Sequence, residues 1–341
     1  MKKSVEMITD LLLVTVIVAS SLIYGRGSLS SGRILAPQED TLEGISTDEV
    51  HFAIQPSAAF IPLYVAREKG WMDEAMGEAG VQVFWHSFDS GPPINESLLS
   101  GESDVGVLGD VPTVFAIALG QDNVIIATAA QAADSYAVLV PADSEIKDAS
   151  ELKGKRFATV IGTTAHNLMD KYLDSAGLGM DDVHLINIAA GDTADVLKSH
   201  SADAAAIWEP SVTRLTDSGV ARIIGEGSDC GLAGTNALVA RREFAEANPA
   251  LVAIINEQYR RGAAALEEGL DKETSEKIAE YMKLDESQIE ELLPKFSYTV
   301  DITDEDIRSL NDTIRFLYEV KQIPAGYDIG EYVFRLPDHL E

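Results

Sequence analysis

Short apolar stretches alternate with stretches of helical periodicity from Val50 to Ala240. The segment from Arg156 to Leu178 shows the pattern clearly. Phe157 to Ile161 is apolar and β-branched, as in a buried strand, and Gly162 interrupts it. The apolar residues that follow fall at helical spacing, and Gly177 stands where a C-terminal cap is expected. Such alternation predicts an α/β fold in which mainly parallel sheets are flanked by helices.

The chain is long enough for two lobes. Its 341 residues exceed what one hydrophobic core usually supports. Tyr136 to Val140 is typical of a strand that leaves the first lobe, and Thr235 to Ala240 of one that returns. We therefore predict lobe I from residues 49–137 plus 237–341, including the C-terminal helices, and lobe II from residues 138–236. Two crossings predict a cleft between the lobes, with a hinge at both crossings.

The amino-terminal residues predict export. Lys2 and Lys3 precede an uncharged, mostly apolar run from Leu11 to Gly25. As a helix this run would span only ~22 Å, short of the roughly 30 Å hydrocarbon core of a membrane. Residues 1–27 are therefore predicted to be a signal peptide or an uncleaved signal anchor, and residues 28–48 a flexible linker. A signal peptide and a signal anchor both predict a protein outside the cytoplasm, and a signal anchor would also attach it to the membrane.

Composition excludes several classes of function. The 56 acidic and 26 basic residues give a net charge of −30, which repels nucleic acid and argues against a basic membrane-surface protein. Cys230 is the single cysteine, so the sequence has no intramolecular disulfide and no cysteine-rich metal site. The six histidines form no helical pair of metal ligands. We expect neither a metal nor a cofactor.

Polar residues stand where the predicted strands end, which is where ligands bind in such sheets. Thr163 and Thr164 begin a helix, so backbone N–H groups, the helix dipole and two hydroxyl donors would favour an anion there. A threonine in this position also caps its own helix, and both interpretations stay open. The candidate ligand-binding residues are Gln55, Ser57, Gly109, Asp110, Gln131, Thr163, Thr164, His166, Trp208, Glu209 and Asn236.

Four stretches of the sequence carry a family resemblance. They read SFDSGPPINESLLSGESDVGVLGDVPTVFA, DASELKGKRFATVIGTTAHNLMDKYLDSAGL, SADAAAIWEP and ALVARREFAEANP. With them the chain resembles the solute-binding proteins of ABC importers for aliphatic sulfonates, taurine and nitrate, and the resemblance covers about Val50 to Leu270. It implies a two-lobed, periplasmic-binding-protein-like fold of type II. It also implies that loops contacting the ligand contain Ser57, Gly109, Thr163, Thr164 and Trp208.

The chain departs from this family in two respects. No cysteine follows the amino-terminal segment to accept a lipid, and the carboxylates of Asp110 and Glu209 stand among the candidate site residues. A carboxylate opposite a sulfonate is costly unless the ligand also carries a cation. Glu209 could instead only stabilise the first turn of the helix that follows it, and both interpretations stay open. If Glu209 faces the cleft, the cost predicts a zwitterion such as taurine, with its sulfonate at Thr163 and its ammonium at Glu209.

The leading hypothesis is therefore a monomeric, extracytoplasmic solute-binding protein that is not an enzyme. It would deliver a small sulfonate-like anion or zwitterion, such as taurine, an alkanesulfonate or nitrate, to an ABC transporter permease. One alternative is an enzyme of the same fold in the synthesis of a thiamine pyrimidine precursor, although such enzymes use a cysteine-rich motif and a pyridoxal-bearing lysine. Another alternative is a membrane-tethered sensor domain.

Overall fold

The computed structural model describes residues 44–340. Its strands are β1 (Glu49–Ile54), β2 (Gln82–Ser87), β3 (Val105–Gly109), β4 (Asn123–Gln131), β5 (Tyr136–Pro141), β6 (Arg156–Thr159), β7 (His184–Asn187), β8 (Ala204–Trp208), β9 (Ala221–Glu226), β10 (Thr235–Arg241) and β11 (Ser297–Tyr298). Its α-helices are α1 (Ile61–Glu68), α2 (Trp71–Glu78), α3 (Gly91–Ser100), α4 (Asp110–Ala118), α5 (Thr164–Asp174), α6 (Thr193–Lys198), α7 (Ser211–Asp217), α8 (Arg242–Ala247), α9 (Pro249–Glu268), α10 (Lys272–Met282), α11 (Glu286–Leu292) and α12 (Asp304–Glu319).

The strands form two separate sheets. The first has six strands in the order β11-β4-β10-β3-β1-β2, and the second has five in the order β7-β6-β8-β5-β9. In the first sheet β1, β2, β3 and β4 run in one direction, while β10 and β11 run against them. In the second sheet only β5 opposes the other four strands. The predicted α/β fold is confirmed, and most strands of each sheet run in one direction, although parallel and antiparallel pairs are mixed.

The chain passes between the sheets twice, and the two crossings lie side by side. It leaves the first sheet after β4 and joins the second at β5, then leaves the second after β9 and returns at β10. The crossings are joined by hydrogen bonds from Ala132 N to Gly234 O, 3.2 Å, and from Ser228 N to Asp134 Oδ1, 3.1 Å. Gly234 has a φ of +66°, and a Cβ there would lie 2.6 Å from Ala132 O. A glycine is therefore required for the strands to cross so closely.

Each sheet has its own hydrophobic core. We call the part of the protein built on the first sheet lobe I and the part built on the second sheet lobe II. The core of lobe I includes the buried faces of α9 to α12, with Tyr259 fully enclosed. Thr303 caps the N-terminus of α12: its hydroxyl accepts from Asp306 N, and the Asp306 side chain accepts from Thr303 N. The core of lobe II extends from Tyr136 to Leu232. Two cores joined by two adjacent crossings leave a cleft between them.

Several predictions concern the amino-terminal part of the chain. The predicted signal segment, residues 1–27, and most of the predicted linker lie outside the residues that the structure describes. The end of that linker is attached to lobe I, because Ser46 N donates to Asn248 Oδ1 at 2.6 Å. Between residues 44 and 340 the structure contains no helix with both the length and the apolar character needed to cross a membrane.

Candidate functional site

A pocket lies between the two lobes, at the edges where the strands end. Its volume is about 300 Å³, counting the part open to solvent. Residues from both lobes line it: Gln55, Ser57, Phe60, Gly91, Gly109, Pro112, Tyr136, Thr163, Thr164, Trp208 and Asn236. Seven of the eleven candidate residues are therefore brought together here.

The strand directions explain why these residues meet. Gly109 ends β3, which runs parallel to β1, and Trp208 ends β8, which runs parallel to β6. Asn236 and Tyr136 stand at the beginning of β10 and β5, which run antiparallel, and pair with Gly109 and Trp208 respectively. The amino end of an antiparallel strand lies at the same edge as the carboxyl ends of its neighbours. Both kinds of strand end therefore contribute to the pocket.

Helix N-termini also converge on the pocket. A short 3₁₀ turn follows Ser57, α3 begins at Gly91, α4 follows Gly109, and α5 begins at Thr164. The N-cap residues of α3, α4 and α5 make no side-chain capping bond. Backbone N–H groups at such ends, with the positive end of the helix dipole behind them, favour an anion. None of the described residues that line this pocket is Lys, Arg or His.

The hydroxyl groups of Thr163 and Thr164 donate to protein acceptors. Thr163 Oγ1 donates to Val160 O at 2.7 Å, and Thr164 Oγ1 donates to a carboxylate oxygen of Asp110. A hydroxyl has one proton to give, so neither group can also donate to a ligand in this arrangement. Thr163 does not cap α5 through its side chain. The two threonines therefore offer an anion their helix N-terminus, rather than the hydroxyl donors that the sequence predicted.

Other groups in the pocket keep a proton that could reach a ligand. Gln55 Nε2 donates to Val107 O at 2.8 Å, and Asn236 Nδ2 donates to Gly234 O at 2.8 Å. Each amide nitrogen carries two protons, so one remains in each case. Ser57 Oγ accepts from Ala59 N at 3.4 Å, which does not use its own proton. Trp208, 7% exposed, adds an indole N–H and an apolar ring face. The pocket can bind an anion with neutral donors alone.

Glu209, by contrast, does not line the pocket. Its side chain is fully enclosed, and its Oε1 lies 3.0 Å from Lys295 Nζ of lobe I. It also accepts from Thr213 N at 2.9 Å and from Thr213 Oγ1 at 3.0 Å. Its charge is therefore matched by a cation of the protein, not by a ligand ammonium. The structure does not support the predicted contact between Glu209 and the ammonium of taurine.

Three more candidate residues lie outside the pocket lining. Asp110, 2% exposed, turns away from the pocket and accepts bonds from lobe II and from α12. Gln131 donates to Asp306 in lobe I. His166 is buried with its ring edge toward Phe316, 6.0 Å between centroids, and burial lowers the pKa of its imidazole. These three residues were predicted to be near the pocket because they stand at the ends of strands or helices. That position does not determine the direction in which their side chains point.

Four pocket residues were missed by sequence reasoning: Phe60, Gly91, Pro112 and Tyr136. Gly91 and Pro112 lie in the stretch that carries the family resemblance, and a Cβ on Gly91 would lie 2.6 Å from Pro112 Cγ. The sequence predicted Tyr136 only as part of a strand that crosses between the lobes. Because that strand is antiparallel to β8, its first residue lies at the pocket edge, and this strand direction is the signal that could have identified Tyr136.

The two lobes contact each other around the pocket. Tyr136 Oη donates to Asn236 Oδ1 at 3.0 Å, across the pocket itself. Further away, Arg214 Nη1 donates to Met282 O at 3.2 Å, and Gln288 Nε2 donates to Asp217 Oδ2 at 2.6 Å. With the ion pair of Glu209, these contacts hold the lobes in a closed arrangement.

Two α/β lobes that close over a pocket surrounded by helix N-termini define a two-lobed, periplasmic-binding-protein-like fold. Residues 57–268, more than half of the chain, match the family described as NMT1/THI5 like, so the chain belongs to that family. A putative aliphatic sulfonates-binding protein of Bacillus subtilis (strain 168) is 29% identical over 286 residues, covering 84% of this chain and 85% of the relative. These findings confirm the resemblance predicted from the sequence.

Two further relatives extend the comparison. The taurine-binding periplasmic protein of Escherichia coli (strain K12) is 25% identical over 275 residues, covering 75% of this chain and 83% of the relative. The structure of the alkanesulfonate-binding protein SsuA from Xanthomonas axonopodis pv. citri bound to MOPS is 25% identical, with a TM-score of 0.78. The match covers 85% of this chain and 99% of that one. The similarity therefore includes both lobes.

Proposed function

We propose that this chain is the solute-binding protein of an ABC importer, and that it binds a small sulfonate or related oxyanion between its lobes. The observation that carries the proposal is the convergence of helix N-termini on an interlobe pocket lined by neutral donors. A permanently ionised oxyanion requires several hydrogen-bond donors, which such a site supplies. The names of its relatives, which bind aliphatic sulfonates, taurine and an alkanesulfonate, support the same ligand class.

The proposed location is outside the cytoplasm, and the proposed partner is a membrane permease that receives the ligand from a monomeric binding protein. The periplasmic relative supports this location. Closure of the lobes around the ligand would provide the signal that the permease reads, because the surface formed by both lobes exists only in the closed state.

An enzymatic function is less well supported. The thiol of Cys230 donates to Gly227 O at 3.4 Å and does not line the pocket. Burial raises the pKa of this thiol, which opposes formation of a reactive thiolate. We therefore infer a binding protein, with the ligand released unchanged.

A thermal-shift screen tests the proposal. Ethanesulfonate, butanesulfonate, taurine, nitrate and acetate are added separately to the purified chain. A ligand at ~100 times its dissociation constant adds about 2.7 kcal/mol of stability, or roughly 5 °C for a chain of this size. Sulfonates are expected to give the largest shifts. If acetate raised the melting temperature and no sulfonate did, the proposed ligand class would be wrong.

A further inference from the structure

Asp110 is a carboxylate enclosed at the boundary between the lobes. It starts α4 and accepts from Val111 N at 2.7 Å and from Thr313 Oγ1 of α12 at 2.6 Å. From lobe II it accepts from Thr164 Oγ1 and, at 3.4 Å, from Asn167 Nδ2. All four donors are neutral, and among residues 44–340 no lysine or arginine forms an ion pair with it. Its charge therefore depends on hydrogen bonds alone.

The hydrogen bond from Thr164 connects this carboxylate to the pocket. Thr164 lines the pocket, and its only hydroxyl proton points to Asp110. While Asp110 is ionised, Thr164 presents only lone pairs to a ligand, and a negative charge lies one hydrogen bond behind it. Both effects oppose an oxyanion at the N-terminus of α5. A proton on Asp110 removes the charge and allows Thr164 to rotate its own proton toward the ligand.

Other ionisable groups near Asp110 do not supply this proton. A polar cavity on the other side of Asp110 is lined by Lys171 and Arg308, and also by Glu305 and Asp312, so its cations are balanced by carboxylates. The phenol of Tyr136 stays protonated, because burial and then the Asp110 carboxylate raise its pKa. His166, on the same helix as Thr164, stays neutral because burial lowers its pKa. The cavity gives Asp110 a polar route to solvent protons.

We propose that Asp110 makes ligand binding depend on protonation: it takes up one proton when the lobes close over an oxyanion, and Thr164 then donates to that ligand. The proton comes from solvent and binds a carboxylate oxygen of Asp110, while the Thr164 hydroxyl only rotates. This proposal rests on the proposed function. Burial raises the pKa of Asp110 in the closed protein, and the hydrogen bonds from Thr164 and Thr313 oppose that change.

Isothermal titration with ethanesulfonate, in bis-Tris and in Tris, counts the protons exchanged. Buffers that contain a sulfonate or phosphate group are avoided because they could occupy the pocket. In the pH range above the pKa of Asp110 without ligand, the unmodified protein is expected to take up as much as one proton per ligand. Its affinity should fall as the pH rises, by up to about tenfold per pH unit in the window between the pKa values of Asp110 without and with ligand. Asp110→Asn should bind without proton uptake and with an affinity independent of pH.

Glu209→Gln is the matched control, because Glu209 is also an enclosed interlobe carboxylate but has Lys295 as its partner. Its proton uptake should equal that of the unmodified protein, even if its affinity falls. Should circular dichroism show that Asp110→Asn does not fold, Thr164→Val is used, and its affinity should depend less on pH. Binding without proton uptake by the unmodified protein would overturn the role of Asp110 alone. No binding of ethanesulfonate, taurine or nitrate would overturn the proposed function as well.

Discussion

The ion pair between Lys295 and Glu209 should stabilise the closed state, and replacing Lys295 by methionine tests this. The pair joins the lobes at 3.0 Å, with the Glu209 side chain 0% exposed and the Lys295 side chain 27% exposed. In Lys295→Met the carboxylate keeps only its two bonds from Thr213. When the lobes separate, water can replace the missing cation. The cost of the substitution therefore falls mainly on the closed state.

The size of the effect follows from the burial of the pair. Removing one partner of a fully buried ion pair costs about 3–5 kcal/mol, and a hydrogen bond to a charged group contributes about 1.5–3 kcal/mol. The range for a hydrogen bond to a charged group applies here, because Lys295 is partly exposed and Glu209 keeps Thr213 as a donor. At about 1.4 kcal/mol per factor of ten, the dissociation constant for ethanesulfonate should rise by roughly 10- to 150-fold.

Calorimetry with ethanesulfonate measures that change, and small-angle scattering measures closure through the radius of gyration. Lys272→Met is the control, because the Lys272 side chain is 82% exposed and, among residues 44–340, pairs only with Glu276, one turn further along α10. It should bind as the unmodified protein does. In the contrary outcome, Lys295→Met keeps its affinity for ethanesulfonate while the free energy of unfolding of the unliganded protein falls. That result would show that the ion pair stabilises the fold and not the closed state.

Two further substitutions probe the pocket. In Gly109→Ala the new Cβ would lie 2.4 Å from Thr164 Oγ1, so we expect at least about tenfold weaker binding of ethanesulfonate by calorimetry, with little change in the melting temperature of the unliganded protein. Gly191→Ala, where a Cβ would meet nothing within 4 Å, is its control, and equal affinity in both variants would refute the argument. In Thr163→Val the lost hydrogen bond to Val160 O should lower the free energy of unfolding by about 1 kcal/mol in a urea titration. Affinity should change less than about threefold, and a hundredfold loss would show that this hydroxyl turns to the ligand.

The sequence located the pocket edge but not the direction of every side chain there. Gly162 and the helical spacing after it placed Thr163 and Thr164 at the start of a helix, and the structure begins α5 at Thr164. Such patterns depend on local backbone chemistry, which a sequence displays. Asp110 and Glu209 stand at the same kind of position, yet their carboxylates turn to Thr313 and Lys295. Those partners are distant in sequence, and no local pattern identifies them.

The interlobe contacts were hidden for a related reason. Lys295 follows α11, beyond the stretches that carry the family resemblance, and it meets Glu209 only because the C-terminal helices pack on lobe I. The sequence predicts Tyr136 as part of a crossing strand, but its place in the pocket depends on the antiparallel pairing of β5 with β8. The Lys295–Glu209 contact and this strand pairing both join residues that are far apart in the sequence. Sequence reasoning could predict that two lobes meet, but not which side chains hold them together.

The net charge of the chain leads to a last prediction, about the rate of binding. A protein of net charge −30 repels an anion at a distance, and the described residues that line the pocket include no cation to attract it. Raising the salt concentration from about 0.01 M to about 1 M shortens the screening length from roughly 30 Å to roughly 3 Å. The association rate of ethanesulfonate should therefore rise with salt, by about tenfold or more.

Stopped-flow fluorescence of Trp208 measures this rate, with Trp208→Phe as the control that assigns the signal. Repeating the series with gluconate in place of chloride removes competition by a small anion for the pocket. Dissociation should change less, because helix N-termini and neutral donors act over short distances that salt screens weakly. An association rate that fell as salt rose would mean that cations elsewhere on the surface guide the ligand, and the pocket would then not act by neutral donors alone.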